Sequence, residues 1–570
     1  MTVAAGVLDN PQQGDHYKWI ALSNTTLGTL MATINGSILI ISLPVIFKGL
    51  QVNPLASNQT GLLLWTLLGF NVATTVLLVL FGRLSDMFGR VRLYNLGFLI
   101  FTVGSILASL TWSKGAAGEL ELIIFRVIQG IGGGFLFSNS AAILTDAFPS
   151  NQRGFALGLN QVAAIGGSII GLLVGGALAS TGEWRLVFLV NVPIGLFGTV
   201  WAYIALKETM KPRRHQHLDI WGNVAFTVGL LGIMLGLTYG IMPYQSHSMG
   251  WTNPSVLIEF AVGIVGLVGF VVAEMFVKEP LFNLRLFRIW PFTAGNLAGL
   301  LAALARGGLQ FMVIIWLQGI YLPMHGISYA NTPLIAGLYT LPQMFGFFVA
   351  GPISGMLSDR YGARAFATLG MVVTAAGFYL LTTLPLNFNP WLFWFFLFLL
   401  GLGMGLFGSP NTAAIMNSLP PEHRGVGSGM RATFMNAGSM LSMGLFFSIM
   451  IAGLSQRLPQ AMQLGLVQHG VPLAAAAKVA QLPPTSSLFA ALLGYNPLQN
   501  LLGQFGILSQ MPPAQAHFIT GQTFFPSLIG PAFLHGLDLV FTVSIIMSLV
   551  AAVASMLRGK RYVHTEEESQ

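Results

Sequence analysis

GRLSDMFGR, Gly82 to Arg90, stands between two long apolar runs, and GMLSDRYGAR, Gly355 to Arg364, repeats its Gly-x-Leu-Ser-Asp-x-x-Gly skeleton in the same setting. A second pair of phrases follows at nearly the same offset. QGIGGG…FPSNQRGFALG (Gln129 to Gly158) aligns with LGLGMG…LPPEHRGVGSG (Leu400 to Gly429), matching Gly130 with Gly401, Pro149 with Pro420, Arg153 with Arg424 and Gly154 with Gly425. Two phrases in one order at one spacing mark an internal duplication, and the apolar runs around them say what is duplicated.

The 570 residues are 54% hydrophobic and 8% charged, with a mean hydropathy of +0.73, whereas soluble domains carry about 25% charged residues. The chain therefore reads as an all-α integral membrane protein. A crossing helix needs about 20 apolar residues. Fourteen such runs occur, near 20–47, 60–82, 94–113, 119–143, 155–180, 184–206, 220–242, 254–277, 292–320, 333–356, 365–384, 391–417, 427–453 and 531–557. With both termini in the cytoplasm, most of the 26 Lys and Arg fall in alternate loops, as the positive-inside rule requires. The net charge of +8 is thus a topology signal, and no nucleic-acid partner is expected.

Cysteine is absent, which removes disulfides, thiolate metal sites and cysteine nucleophiles. No metal site and no cofactor are expected. The sequence has no Walker phosphate loop, no HExxH and no GxSxG, so an enzyme is not expected either. The N-terminal stretch lacks the pattern of a cleaved signal peptide, and the first span is expected to insert the chain into a plasma membrane, as in a bacterial inner membrane.

The duplication divides the chain into an N-terminal segment (1–19), a six-helix bundle (20–206), a linker with two inserted spans (207–291), a second six-helix bundle (292–557) and a tail (558–570). The second bundle includes a long outer segment, 452–530, broken by Pro472, Pro483, Pro484 and Pro497. Two short helices lying at the outer interface are expected there. Parallel repeats of this kind rock about a central site in secondary transporters.

GRLSDMFGRVR, FRVIQGIGGG (Phe125 to Gly134) and WRLVFLVNVPIGL (Trp184 to Leu196) resemble the major facilitator superfamily, in particular its fourteen-span drug:proton antiporter branch. The resemblance implies the major facilitator fold and the export of small amphipathic organic compounds or drugs by alternating access, with protons as the coupling ion. It also implies roles in coupling or in ordering the pathway for Arg126, Gln129 and Gly130.

The duplicated loop phrase is expected to act as a gate. Gly82 and Gly89, with Gly355 in the repeat, let helix ends approach. Asp86 and Asp359 accept hydrogen bonds, and Arg90 and Arg360 supply cations; Arg90 is expected to pair with a carboxylate across the gate. In span 5, Gly167, Gly171 and Gly175 recur every four positions and with Gly176 form a packing face. Leu172 stands where the resembled antiporter signature has proline, which predicts a straighter helix.

Span 1 departs from the branch. Asn35 occupies the position of its acidic residue, and Asn35 cannot titrate. Arg306 is central in span 9 at a depth equivalent to Asn35 in the repeat, and a cation facing Asn35 across a cavity would favour anionic or zwitterionic ligands. Arg431 is expected to snorkel to the cytoplasm; Glu119 and Glu121 are expected near the outside, and the alternative to a coupling role for Arg126 is that it snorkels to that interface with their help. Glu274 is expected to pair with Lys278. Asn71, Asn160, Gln161, Gln318, Gln343 and Asn411 are candidates to line the route. Three alternatives to drug export stay open: a carrier for anionic or lipid-like compounds, facilitated diffusion, and a membrane receptor or scaffold that does not transport. Membrane lipids are the remaining expected partner.

Overall fold

The structure, a computed structural model, describes residues 16–559 except 54, 150–151, 209–218, 246, 248, 278–279, 281 and 421–423. Fourteen helices among the described residues are long and apolar enough to cross a membrane. They are α1 His16–Gly49, α2 Ser57–Phe88, α3 Arg90–Ser109, α4 Gly115–Ala147, α5 Arg153–Ser180, α6 Leu186–Ala205, α7 Ile220–Gly240, α8 Pro254–Phe276, α9 Trp290–Met324, α10 Thr332–Tyr361, α11 Ala363–Thr382, α12 Pro390–Asn417, α13 Arg424–Gln468 and α14 Phe524–Met556. In hydrocarbon every backbone polar group must be satisfied within its own segment, and long helices meet that demand.

The duplicated sequence packs as a duplicated structure. In the first bundle α1 lies on α5, α2 on α4, and α3 on both α4 and α6; in the second, α9 lies on α13, α10 on α12, and α11 on both α12 and α14. The inserted helices α7 and α8 pair with each other, and α7 also touches α2 and α13, one helix from each bundle. The starts of α1 and α9 and the ends of α6 and α14 share one face. There the Tyr17 hydroxyl donates to the Lys207 carbonyl at 2.8 Å and Trp290 Nε1 donates to the Leu557 carbonyl at 2.8 Å. We call this the termini face and the other end the far face.

Glycine sets the closeness of the α1–α5 contact. A Cβ on Gly171 would lie 2.7 Å from the Ile34 carbonyl oxygen, and one on Gly175 would lie 2.7 Å from Ile38 Cγ1. Without a proline, α5 runs unbroken from Arg153 to Ser180.

Helix α9 is the irregular one. It turns at Gly307–Gly308, directly after Arg306, and loosens into wider, π-type turns over Trp316–Tyr321. Such interruptions in spanning helices are tolerated where they line a cavity or are buried in protein, and they concentrate at functional sites.

The outer segment corrects the sequence expectation of two interfacial helices. Helix α13 continues to Gln468, and four short helices follow: Leu473–Val479, Pro484–Leu492, Leu498–Gln504 and Pro513–Thr520. All nine residues of Pro484–Leu492 are buried. This helix packs on α2, on the π-type turns of α9, and on α13 and α14, with the Phe489 ring 5.5 Å from that of Phe447. Its run of small and apolar residues, Ser-Ser-Leu-Phe-Ala-Ala-Leu, suits burial between helices better than an interface.

Candidate functional site

At the termini face the first loop phrase forms an ion-pair network. Arg90 Nη1 donates to both oxygens of Asp146 at 2.7 and 2.8 Å, while Nε and Nη2 donate to Asp86 Oδ1 at 2.9 and 2.8 Å. Glu208 completes it by accepting from the backbone N–H of Arg90 at 2.7 Å and of Val91 at 3.1 Å. Its carboxylate thereby caps the exposed amides that open α3. All four residues belong to the first bundle or its immediate continuation. The expectation that Arg90 reaches a carboxylate across the gate is thus corrected: its partners lie at the ends of α2 and α4. Gly89, with φ of 108°, allows the turn, and a side chain there would strike the Glu208 carboxylate.

The repeat is built differently. Gly362 again has positive φ, 87°, before α11, but Ala363 stands at the position of Arg90 and Asn417 at that of Asp146. Arg360 is exposed, and Gly355 packs toward Ser409. The Asp359 and Gln161 side chains lie outside the described residues.

Inside the first bundle Arg126 is 1% exposed. Its Nη1 donates to Gln129 Oε1 at 3.0 Å, Gln129 Nε2 donates to Ser105 Oγ at 2.8 Å, and the guanidinium lies 4.8 Å from the Phe70 ring centroid. Arg126 therefore does not snorkel outward. Glu119, two turns earlier on α4, is fully buried, and neither carboxylate oxygen has a hydrogen-bond partner among the described residues. Gly130 permits the α2–α4 contact, since a Cβ there would lie 2.7 Å from the Phe70 carbonyl oxygen. Asn160 donates to Ser140 Oγ at 2.5 Å, and Asn191 donates to Asn35 Oδ1 at 3.4 Å.

Asn35 is fully buried in this arrangement, so it does not face Arg306 across an open cavity. Three lining candidates are likewise committed to structure. Gln318 is buried and donates to the Ile41 carbonyl at 3.1 Å, tying α9 to α1. Asn411 is buried, donates to the Gly295 carbonyl at 3.2 Å and accepts from Arg558. Asn71 donates to the Leu67 carbonyl at 3.3 Å within its own helix, and Gln343 remains half-buried beside Met404.

Arg306 and Arg431 are both half-buried. Close packing brings their helices together: a Cβ on Gly307 would lie 2.6 Å from Ser439 Cα, and one on Gly438 would lie 3.0 Å from Ala303 Cβ. The two guanidinium groups are near enough for their charges to interact. Neither side chain has a hydrogen-bonding or ionic partner among the described residues, and Arg431 Nε is buried without one. No local sequence signal announces that these two charges lie near each other. Glu274 accepts from the Phe282 N–H at 2.9 Å, and its expected partner Lys278 lies outside the described residues.

The bundles meet toward the far face. A Cβ on Gly176 of α5 would lie 2.7 Å from Leu334 Cα of α10, and one on Gly337 would lie 3.2 Å from the Leu172 carbonyl oxygen. Among the long helices, α4 packs on α1, α2, α3 and α5, all in its own bundle.

Two repeated six-helix bundles, joined toward one face and carrying buried charge between their helices, define the architecture of a secondary transporter. The chain belongs to the Major Facilitator Superfamily, whose model matches residues 25–339 and again 297–560. It is a multi-pass membrane transporter and not an enzyme. It is 27% identical over 98% of its length to the tetracenomycin C resistance and export protein of Streptomyces glaucescens, of which the match covers 94%. It is 28% identical to the riboflavin transporter RibZ of Clostridioides difficile, over 77% of this chain and 89% of that one. The multidrug transporter protein MdtP of Bacillus subtilis is 28% identical over 76% of this chain and 73% of its own. Among solved structures, a bacterial homologue of the human lysosomal transporter Spinster superposes with a TM-score of 0.54 at 14% identity, covering 97% of this chain and all of that one.

Proposed function

We propose that the protein exports amphipathic organic compounds bearing an acidic group, by alternating access, from the cytoplasm on the termini face to the outside on the far face. The observation that carries this reading is the pair Arg306 and Arg431, two cations without a counter-ion among the described residues, Arg306 standing directly before the break in α9. Cations inside a membrane protein are expensive unless they meet a partner, water or a ligand. An acidic substrate supplies the missing charge, and charge-assisted hydrogen bonds to arginine are strong and directional.

The seam contacts fit a state sealed at the far face. Gly176 meets Leu334 there, and the buried Pro484–Leu492 helix sits beside the π-type turns of α9. Export by the tetracenomycin C resistance protein favours outward transport for this chain as well. For proton coupling, Glu119 replaces the titratable group that Asn35 lacks: it is buried and unpartnered, the setting in which a carboxyl group exchanges a proton as its surroundings open and close.

Uptake into inside-out proteoliposomes tests the proposal. A carboxylate-bearing amphipathic dye should accumulate saturably and faster than its quaternary-amine analogue, and Arg306→Gln together with Arg431→Gln should erase that preference. Binding of the dye without accumulation would point to a receptor and refute transport.

A further inference from the structure

The two bundles solve the same local problem in opposite ways. At the start of α3, the Glu208 carboxylate caps the free amides and Arg90 fills the space between Asp86 and Asp146. At the start of α11, no described side chain accepts from the N–H groups of Ala363, Arg364 or Ala365. The substitutions of the repeat leave room as well. Ala363 and Asn417, the counterparts of Arg90 and Asp146, both line a cavity of about 620 Å³ at the termini face.

Among the described residues, the charged side chains on the cavity's lining are both cationic. Arg364 and Arg558 line it. Arg558 is 4% exposed; its Nη2 donates to Asn411, while Nε and Nη1 are buried without partners among the described residues. Burial pushes its guanidinium down to about 10, so it remains a cation at neutral pH. Thr368 Oγ1, also on the lining, is a further buried polar atom without a partner. A helix N-terminus whose amides meet no described side chain, flanked by the exposed Arg364 and by the buried guanidinium of Arg558, is suited to an anion with several acceptor oxygens. The remaining wall is apolar and opens outward: Leu369 is 53% exposed, Val372 44% and Met556 45%. On a membrane protein such a rim faces acyl chains.

We infer that the cavity between α11, α12 and the end of α14 binds a phosphate-bearing anion, the headgroup of an anionic phospholipid in the leaflet on the termini face. The phosphate takes the place that the Glu208 carboxylate holds in the first bundle. It accepts from the α11 amides and from Arg364 and Arg558, and the acyl chains lie against Leu369, Val372 and Met556. The bound lipid fastens the second bundle at the position where the first is fastened by its own side chains.

Native mass spectrometry of the full-length protein released from nanodiscs tests this. Wild type should retain phosphatidylglycerol in preference to phosphatidylcholine, and Arg364→Gln with Arg558→Gln should lower that retention about tenfold. A second variant guards against misfolding. Ala363→Arg with Asn417→Asp rebuilds the ion pair of the first bundle inside the cavity, so it should displace the lipid while the protein keeps or gains thermal stability. Equal retention in all three proteins would overturn the inference. So would equal protection from heat by inorganic phosphate alone, which would make the ligand a soluble anion. Retention that appears only after Glu566, Glu567 and Glu568 are changed to Gln would assign the cradle to the chain's own tail, and would overturn it too.

Discussion

Gly176→Val places a side chain where the bundles touch. Even the first added carbon would lie 2.7 Å from Leu334 Cα and 3.0 Å from its nitrogen, about 1 Å inside ordinary carbon contact. The obstacle is helix backbone, which cannot rotate aside, so relief comes only from separating α5 and α10. Overpacking of this kind costs about 1–3 kcal/mol. Under the proposed alternating access the contact belongs to the state sealed at the far face, so that cost should shift the balance toward the state open there by roughly 5- to 150-fold. The chain contains no cysteine, so Leu172→Cys, buried against Gly337 at this seam, gives a unique reporter. A membrane-impermeant maleimide added from the far face should label it faster in the Gly176→Val background by a factor in that range. Gly370→Val is the control. It forces a similar clash, 2.6 Å from Phe407 N, but inside one bundle, and should lower stability without changing the labelling rate. Equal labelling in the Gly176→Val and parent backgrounds would refute the seam as a moving contact.

Other perturbations address the remaining parts of the site. Arg90→Gln leaves Asp86 and Asp146 without their shared cation; with Arg90 and Asp146 mostly buried and Asp86 a third exposed, the loss should be roughly 1–3 kcal/mol of thermal or denaturant stability in detergent. Glu119→Gln should leave flux down a substrate gradient intact and abolish its stimulation by an imposed pH gradient; retained stimulation would place the proton elsewhere. Phe489→Asp puts a charge into the buried Pro484–Leu492 helix and should admit the same impermeant maleimide to Gln318→Cys at the far face, where the parent protein excludes it.

Much of the fold was legible because its signals are local and repeated. Hydropathy gave the fourteen spans, and the paired phrases at Gly82 and Gly355 exposed the duplication that the helix packing repeats. The glycines of α5 were readable as a contact face because their spacing is the helical period. What the sequence concealed was long-range. Glu208 caps α3 from 118 positions away, and the helices that carry Arg306 and Arg431 close up at Gly307 and Gly438. The outer segment misled for a physical reason: prolines that forbid a spanning helix still permit a short one, and burial of that short helix depends on the gap left by α2, α9 and α13. The counterparts Ala363 and Asn417 were visible in the alignment, yet their meaning, a cavity in place of an ion pair, required the second bundle to be seen in three dimensions.

In alternating access the two bundles tilt against each other about the seam between α5 and α10. Paired spin labels at Ser180 and Asn331 on the far face, and at Leu159 and Met356 toward the termini face, measure it by pulsed electron resonance in nanodiscs. With transported substrate added, the first distance should lengthen as the second shortens. Distances that stay fixed, or that change together, while transport proceeds would contradict it.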